Sequence, residues 1–250
     1  MNSLDKRIKG IRGILFDKDG TLIDFGSIWI PLAFELVGKL AGGYELSQEQ
    51  KSDLLGSIGL YGDGRMFPDG VYSAGTMEDI AQVLYNHMGE LGVGSMDPET
   101  FMETLDHETR TFMAANRGSI RSIGNVGDTL AACRERGLIL GVSTSDNEEN
   151  TRLCLEETGL IEYFDYIGCP DGRKKPKPSG DILFDFCAEF GLEPEEIAVV
   201  GDTSTDIAFA GKNGAGLAVA VLSGAGDRDS FADADVLLDD VNGLTELFGI

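Results

Sequence analysis

From residue 118 onward the chain alternates short apolar runs with amphipathic stretches, and this alternation restricts the fold to a parallel α/β sheet. Residues 138–142, 163–167, 197–200, 217–222 and 236–238 read as strands. Between them, 125–136, 147–158, 179–190 and 204–213 read as helices. Strands joined through helices pair in parallel by right-handed crossovers. One more apolar run, Ile14-Leu15-Phe16, stands near the N-terminus and has the look of a buried strand. No helix-and-strand unit comes directly after it.

The next hundred residues or so are helical instead. Residues 27–43 and 47–56 carry helical patterns, the second opened by Ser47 and Gln50 at capping-box spacing. A glycine-rich stretch spans 56–75. Helical patterns resume at 76–90 and 98–116, the latter announced by Asp97-Pro98 as N-cap and first-turn proline. Two helical pairs without a strand imply a small helical domain set into the sheet domain. The expected division is 1–25 with 118–250 for the α/β core and 26–117 for the helical insert.

With 20 basic and 43 acidic residues the formal charge is −23, which argues against nucleic acid or an anionic membrane as partner. A local positive site for an anionic substrate is compatible with that exterior. The N-terminus lacks a secretory apolar core, and no apolar run is expected to reach membrane-span length. Cys133, Cys154, Cys169 and Cys187 form no C-x-x-C pair and read as buried free thiols. The expected setting is the reducing cytoplasm, and a monomer is the default.

Four polar segments lie just past core elements. The first strand stops at Asp17 and Asp19 and then meets Gly20, which lets the chain leave the strand so that both acids can face one centre. The run ending at Val142 is succeeded by Ser143-Thr144-Ser145-Asp146, with Ser145 and Glu148 at capping-box spacing ahead of a helix. Arg173-Lys-Lys-Pro-Lys-Pro178 is the most basic stretch of an acidic chain, held extended by two prolines. Gly201-Asp-Thr-Ser-Thr-Asp206 leaves the 197–200 strand and opens a helix. Carboxylates converging from two strand ends make a hard oxygen site suited to magnesium.

Asp-x-Asp-Gly-Thr, a strand ending in threonine, Lys-Pro-x-Pro and Gly-Asp-x-x-x-Asp, in that order, resemble the haloacid dehalogenase superfamily of phosphatases. The insert after the first motif resembles the helical cap of its phosphoglycolate phosphatase-like branch. The resemblance implies a Rossmann-like α/β core, Asp17 as nucleophile and Asp19 as the acid that protonates the leaving alcohol and then activates water. It implies Thr144 on the transferring phosphoryl group, and Lys175, which begins Lys-Pro-x-Pro, as the neutralising cation. It implies Mg2+ held by Asp17, Asp202 and the Asp19 carbonyl, with Asp206 as direct or indirect support. Gly20, Thr21, Ser145 and the insert residue Arg65 are candidates for contacting substrate. Many relatives read Asp-Ser where this chain has Asp24-Phe25.

Within such a family an acid at position 19 favours phosphate-ester hydrolysis of a small phosphorylated metabolite, through an aspartyl-phosphate. A phosphosugar mutase, or a non-catalytic phosphate- or metal-binding module, is the alternative. His87 and His107 lie on insert helices and read as structural.

Overall fold

A computed structural model describes residues 3–68, 70–93 and 96–250. Six strands form a single sheet: β1 (Gly13–Phe16), β2 (Ile139–Ser143), β3 (Tyr166–Gly168), β4 (Ile197–Gly201), β5 (Leu217–Val221) and β6 (Val236–Leu238). Their order is β3-β2-β1-β4-β5-β6, and every pairing is parallel. The chain steps outward from β1 to β3, then crosses back to lay β4 on the other side of β1. That reversal leaves a crevice beyond the carboxyl ends of β1 and β4, where open α/β sheets bind ligands.

Strands β1, β4 and β5 are buried at every residue, as expected of a parallel sheet covered on both faces. On one face the helix Asp181–Phe190 packs Ile182, Leu183 and Phe186 into a cluster with Leu15, Val199, Ile207 and Phe209. The expected strand at 163–167 begins later, because Ile161–Tyr163 winds into a short 3-10 turn. A helix not expected from the sequence, Ser3–Gly10, is pinned by Arg7. Its guanidinium reaches both Asp235 carboxylate oxygens, at 2.7 and 2.5 Å, and the Gly216 carbonyl at 2.7 Å.

The chain divides into two compact units, residues through Asp24 with Ile120–Ile250, and Phe25–Ser119. In the first unit, Asp24 N–H donates to Arg121 O and Ile123 N–H to Leu22 O. The two ends of the intervening segment therefore run side by side.

The second unit is helical, with Phe25–Gly43, Gln48–Ser57, Val71–Ala74, Met77–Glu90 and Pro98–Asn116. Ser47 and Gln50 form the anticipated capping box, and Asp97 caps the last helix through the Thr100 amide. Asp69, in the glycine-rich stretch, lies outside the described residues.

One expectation needs correcting. The helix Phe25–Gly43, with 19 residues and a mean hydropathy of 1.2, is long and apolar enough to cross a membrane. It buries Ile28, Leu32, Leu36 and Val37 and packs on Gln48–Ser57 and Pro98–Asn116, so its apolar length is the centre of the helical unit's core.

Candidate active site

The site begins where β1 ends. Phe16 lies opposite Val200 in the register, and Asp17 N–H still donates to the Val200 carbonyl at 2.8 Å. Beyond that bond the chain turns. Leu22 and Ile23 N–H both return to the Lys18 carbonyl, and Gly20 adopts a φ of 84°. Only glycine takes up that left-handed geometry readily. On the neighbouring strand Asp202 comes after Gly201, and Asp206 sits on the first turn of the helix Ser204–Lys212. Asp17, Asp202 and Asp206 bring carboxylate oxygens within 4.8 Å of one another, and all three are buried.

One cation lies among them. Lys177 Nζ donates to Asp17 Oδ1 at 2.5 Å and to Asp206 Oδ1 at 2.6 Å. This corrects the assignment of Lys175. That residue is exposed, and its backbone N–H donates to Asp181 Oδ2 as the chain enters the helix Asp181–Phe190. The basic stretch contains two Lys-Pro pairs, and the later one reaches the sheet. Burial works against the Lys177 ammonium, yet Asp17 and Asp206 together outweigh it and hold its pKa above the ordinary lysine value.

The carboxylates remain in excess. Burial pushes the Asp17 carboxyl up to about 7 despite the adjacent Lys177, and Asp206 and Asp19 add repulsion. Burial, then repulsion from Asp17 and Asp206, drives Asp202 well above the usual carboxylate range. A buried all-oxygen cluster with surplus negative charge fits a hard divalent cation, which would relieve both effects.

Asp202 is held from two sides. Its Oδ1 accepts from the Thr21 hydroxyl at 3.1 Å and its Oδ2 from Ala225 N–H at 2.8 Å. Ser223 Oγ donates to the Gly20 carbonyl at 2.7 Å, tying the loop after β5 to the loop after β1. A methyl group on Gly224 would sit 1.8 Å from Asp202 Oδ2, so that loop can approach only as glycine. These contacts change two expectations. The Thr21 hydroxyl braces Asp202. The Gly20 amide is engaged by Ile23 O, so neither is oriented toward a substrate by these bonds. Asp206 also has both oxygens engaged, Oδ1 with Lys177 and Oδ2 with Thr203 N–H and Oγ. Through Oδ1 it anchors Lys177.

Thr144 comes just after β2 and is buried. Its hydroxyl oxygen accepts from Asp146 N–H at 3.1 Å, which leaves the hydroxyl proton to donate. The next helix is Glu148–Glu157, and its N-cap is Asn147, whose side chain accepts from Asn150 N–H. The helix is thus capped by Asn147 and not by Ser145, which sits half-buried between Thr144 and the cap. Asp19 lies 2.8 Å from the Lys18 ammonium.

In the helical unit, Arg65 is exposed and engaged within its own loop. It pairs with Asp63 at 2.8 Å and lies over the Tyr61 ring, which stacks on Phe67. Sequence reasoning missed Lys177, Lys18, Asp146 and the Ser223–Ala225 loop. The adjacency of Lys177 to Pro178, four residues before the helix at Asp181, was a usable signal for the first of these.

Comparison with known proteins agrees with this geometry. The haloacid dehalogenase-like hydrolase family model matches residues 11–214. A pyrophosphatase PpaX from Bacillus velezensis is 25% identical over 246 residues, covering 97% of this chain and 98% of that one. A phosphoglycolate phosphatase from Escherichia coli is 24% identical over 250 residues, covering 98% and 95%. Among solved structures, a predicted phosphoglycolate phosphatase from Haemophilus somnus superposes with a TM-score of 0.73 at 21% identity, covering 95% and 98%. That likeness extends the agreement to the fold. With the match spanning β1 through the helix after β4, and the acids at the strand ends, the chain belongs to the haloacid dehalogenase-like hydrolase family.

Proposed function

We propose that this protein is a magnesium-dependent phosphatase that hydrolyses a small phosphate monoester, phosphoglycolate or a sugar phosphate, through an aspartyl-phosphate. The observation that carries the reading is the buried triad of Asp17, Asp202 and Asp206 with Lys177 as its cation, set at the strand reversal. Phosphoryl transfer needs positioning and charge neutralisation more than covalent help, and this set supplies both.

Asp17 attacks phosphorus. Lys177, held by Asp206, neutralises charge shared between Asp17 and the phosphoryl oxygens. Thr144 donates its hydroxyl proton to one of those oxygens. Asp19 gives a proton to the departing alcohol and later takes one from the water that cleaves the aspartyl-phosphate, so the acid is regenerated. Asp17, Asp202 and the Asp19 carbonyl would hold Mg2+, with Thr21 and Ala225 orienting Asp202. The ion supplies charge stabilisation for the transferring group.

The helical unit, residues 26–117, serves in this reading as a cap that selects the leaving group. Arg65 is its candidate substrate contact. The reading places the enzyme in the cytoplasm as a monomer, with neither nucleic acid nor membrane as partner, in keeping with the charge of −23.

The test is a phosphate-ester panel assayed with and without Mg2+: phosphoglycolate, sugar phosphates, nucleotides and pyrophosphate. Metal-dependent release of phosphate, strongest on one small monoester, is the expected result. Preference for pyrophosphate would move the substrate class to phosphoanhydrides. No turnover of any ester at saturating metal would overturn the enzymatic reading.

A further inference from the structure

We propose that Lys18, between the two acids of the first motif, is a positioning residue that fixes the carboxylate of Asp19. The inference rests on the reading of Asp19 as proton donor and acceptor. Lys18 is 0% exposed. A lysine is almost never wholly buried unless it is paired. Its Nζ lies 2.8 Å from Asp19 Oδ2 and 2.8 Å from Asp146 Oδ2, with Cys154 Sγ at 3.9 Å.

Asp146 is itself fixed. Its Oδ1 accepts from Asn147 N–H at 2.8 Å and from Asn150 Nδ2 at 3.2 Å, and its own N–H donates to Thr144 Oγ1 at 3.1 Å. A continuous chain of contacts thus runs from Asp19 through Lys18 and Asp146 to Thr144. It joins the segments that leave β1 and β2, the two neighbouring strands whose ends carry these groups.

A role in packing alone would not call for this residue. An apolar side chain of similar volume fills such a space without the desolvation that a buried ammonium incurs. The ammonium instead restrains a carboxylate that must meet a leaving oxygen in one geometry. Because Asp146 is anchored on the first turn of the helix Glu148–Glu157, the restraint is referred to a rigid element and not to a loop.

The experiment compares Lys18→Met, Asp146→Asn and Asp19→Asn, singly and with each of the first two combined with the third. Each protein is checked for folding by circular dichroism and assayed with phosphoglycolate and Mg2+. Asp19→Asn should lose on the order of 10²-fold or more in kcat, the range for a lost general acid. Lys18→Met should lose about 10–10² in kcat, the scale of a small misplacement, with KM little changed. Asp146→Asn keeps its shape and its bonds to Asn147 and Thr144, and should show a smaller loss of the same kind. Neither should lower kcat further once Asn occupies position 19.

If Lys18→Met does not fold, Asp146→Asn carries the test alone. Wild-type kcat in the folded variants, with Asp19→Asn slow, overturns the role of Lys18 and leaves the phosphatase reading intact. Equal losses with and without Asp19 also overturn it, since Lys18 would then act elsewhere. Wild-type kcat in Asp19→Asn overturns the reading of Asp19, and the inference with it.

Discussion

The Lys177 ammonium lies 2.5 Å from Asp17 in a buried contact, while Lys175, two positions earlier, points its charge to solvent. The two lysines sit in identical Lys-Pro pairs, so substituting each in turn separates local charge from placement. Lys177→Met should lower kcat/KM by on the order of 10²-fold or more, the scale of a lost charge stabiliser in a desolvated site. Lys175→Met should stay within about twofold, because exposed charges contribute little. Steady-state kinetics at saturating metal checks both.

The surplus of buried carboxylates predicts an unusual pH dependence for the metal-free protein. Asp17 is held up to about 7 and Asp202 above its ordinary value. A carboxyl with a raised pKa retains its proton in the fold after the unfolded chain has lost it, near pH 4. Stability contributed by that bound proton is present at low pH and lost as pH rises toward the folded value. Lys177, raised above its ordinary value, stays charged throughout that window. The melting temperature of the metal-free protein should therefore fall between about pH 4 and pH 7, and added Mg2+ should flatten the slope. Thermal melts across pH, with and without chelator, check this.

Asp202→Asn separates stability from activity. Removing one of three mutually repelling acids should raise the melting temperature of the metal-free protein and reduce its gain on adding Mg2+. Turnover should be lost, because a carboxylate proposed to hold the ion is gone. A variant that melts lower without metal would show that Asp202 is not repelled in the fold.

Gly224→Ala tests the cradle behind Asp202 without altering any acid. Its methyl group would meet Asp202 Oδ2 at 1.8 Å, Cγ at 2.3 Å and Cβ at 2.7 Å, so the whole Asp202 side chain must shift to admit it. The half-saturating Mg2+ concentration should rise by about tenfold or more if Asp202 moves, a shift equal to about 1.4 kcal/mol. Activity titrated with Mg2+ gives the value directly.

Much of this was legible because apolar runs and the polar residues that stop them are local signals. The acids ending β1 and β4 needed no tertiary information, since a buried strand can deliver a carboxylate only at its end. Lys177 was different. Both lysines of the Lys-Pro-Lys-Pro run are followed by proline, and they differ in how far the extended segment travels before the helix at Asp181. A shift of two residues in such a segment carries a side chain several ångströms along the chain.

The helix cap shows a similar limit. Ser145 and Asn147 are both good N-cap residues at this spacing, and the helix Glu148–Glu157 is capped by Asn147. Lys18 stands between two acids in the sequence, and only the fold shows that it is buried. The helix Ser3–Gly10 was missed because its sequence is mostly polar, and its anchor, Arg7 on Asp235, spans nearly the whole chain.

In the proposed reaction Asp17 carries the phosphoryl group. Its most direct test is acid quenching during turnover of phosphoglycolate with Mg2+, then mass spectrometry of the peptide containing residues 13–22. A phosphoryl adduct on Asp17 is expected, absent when Asp17→Asn is treated in the same way and absent without metal. Turnover at the wild-type rate by Asp17→Asn, or an adduct on any other residue of the peptide, would contradict it.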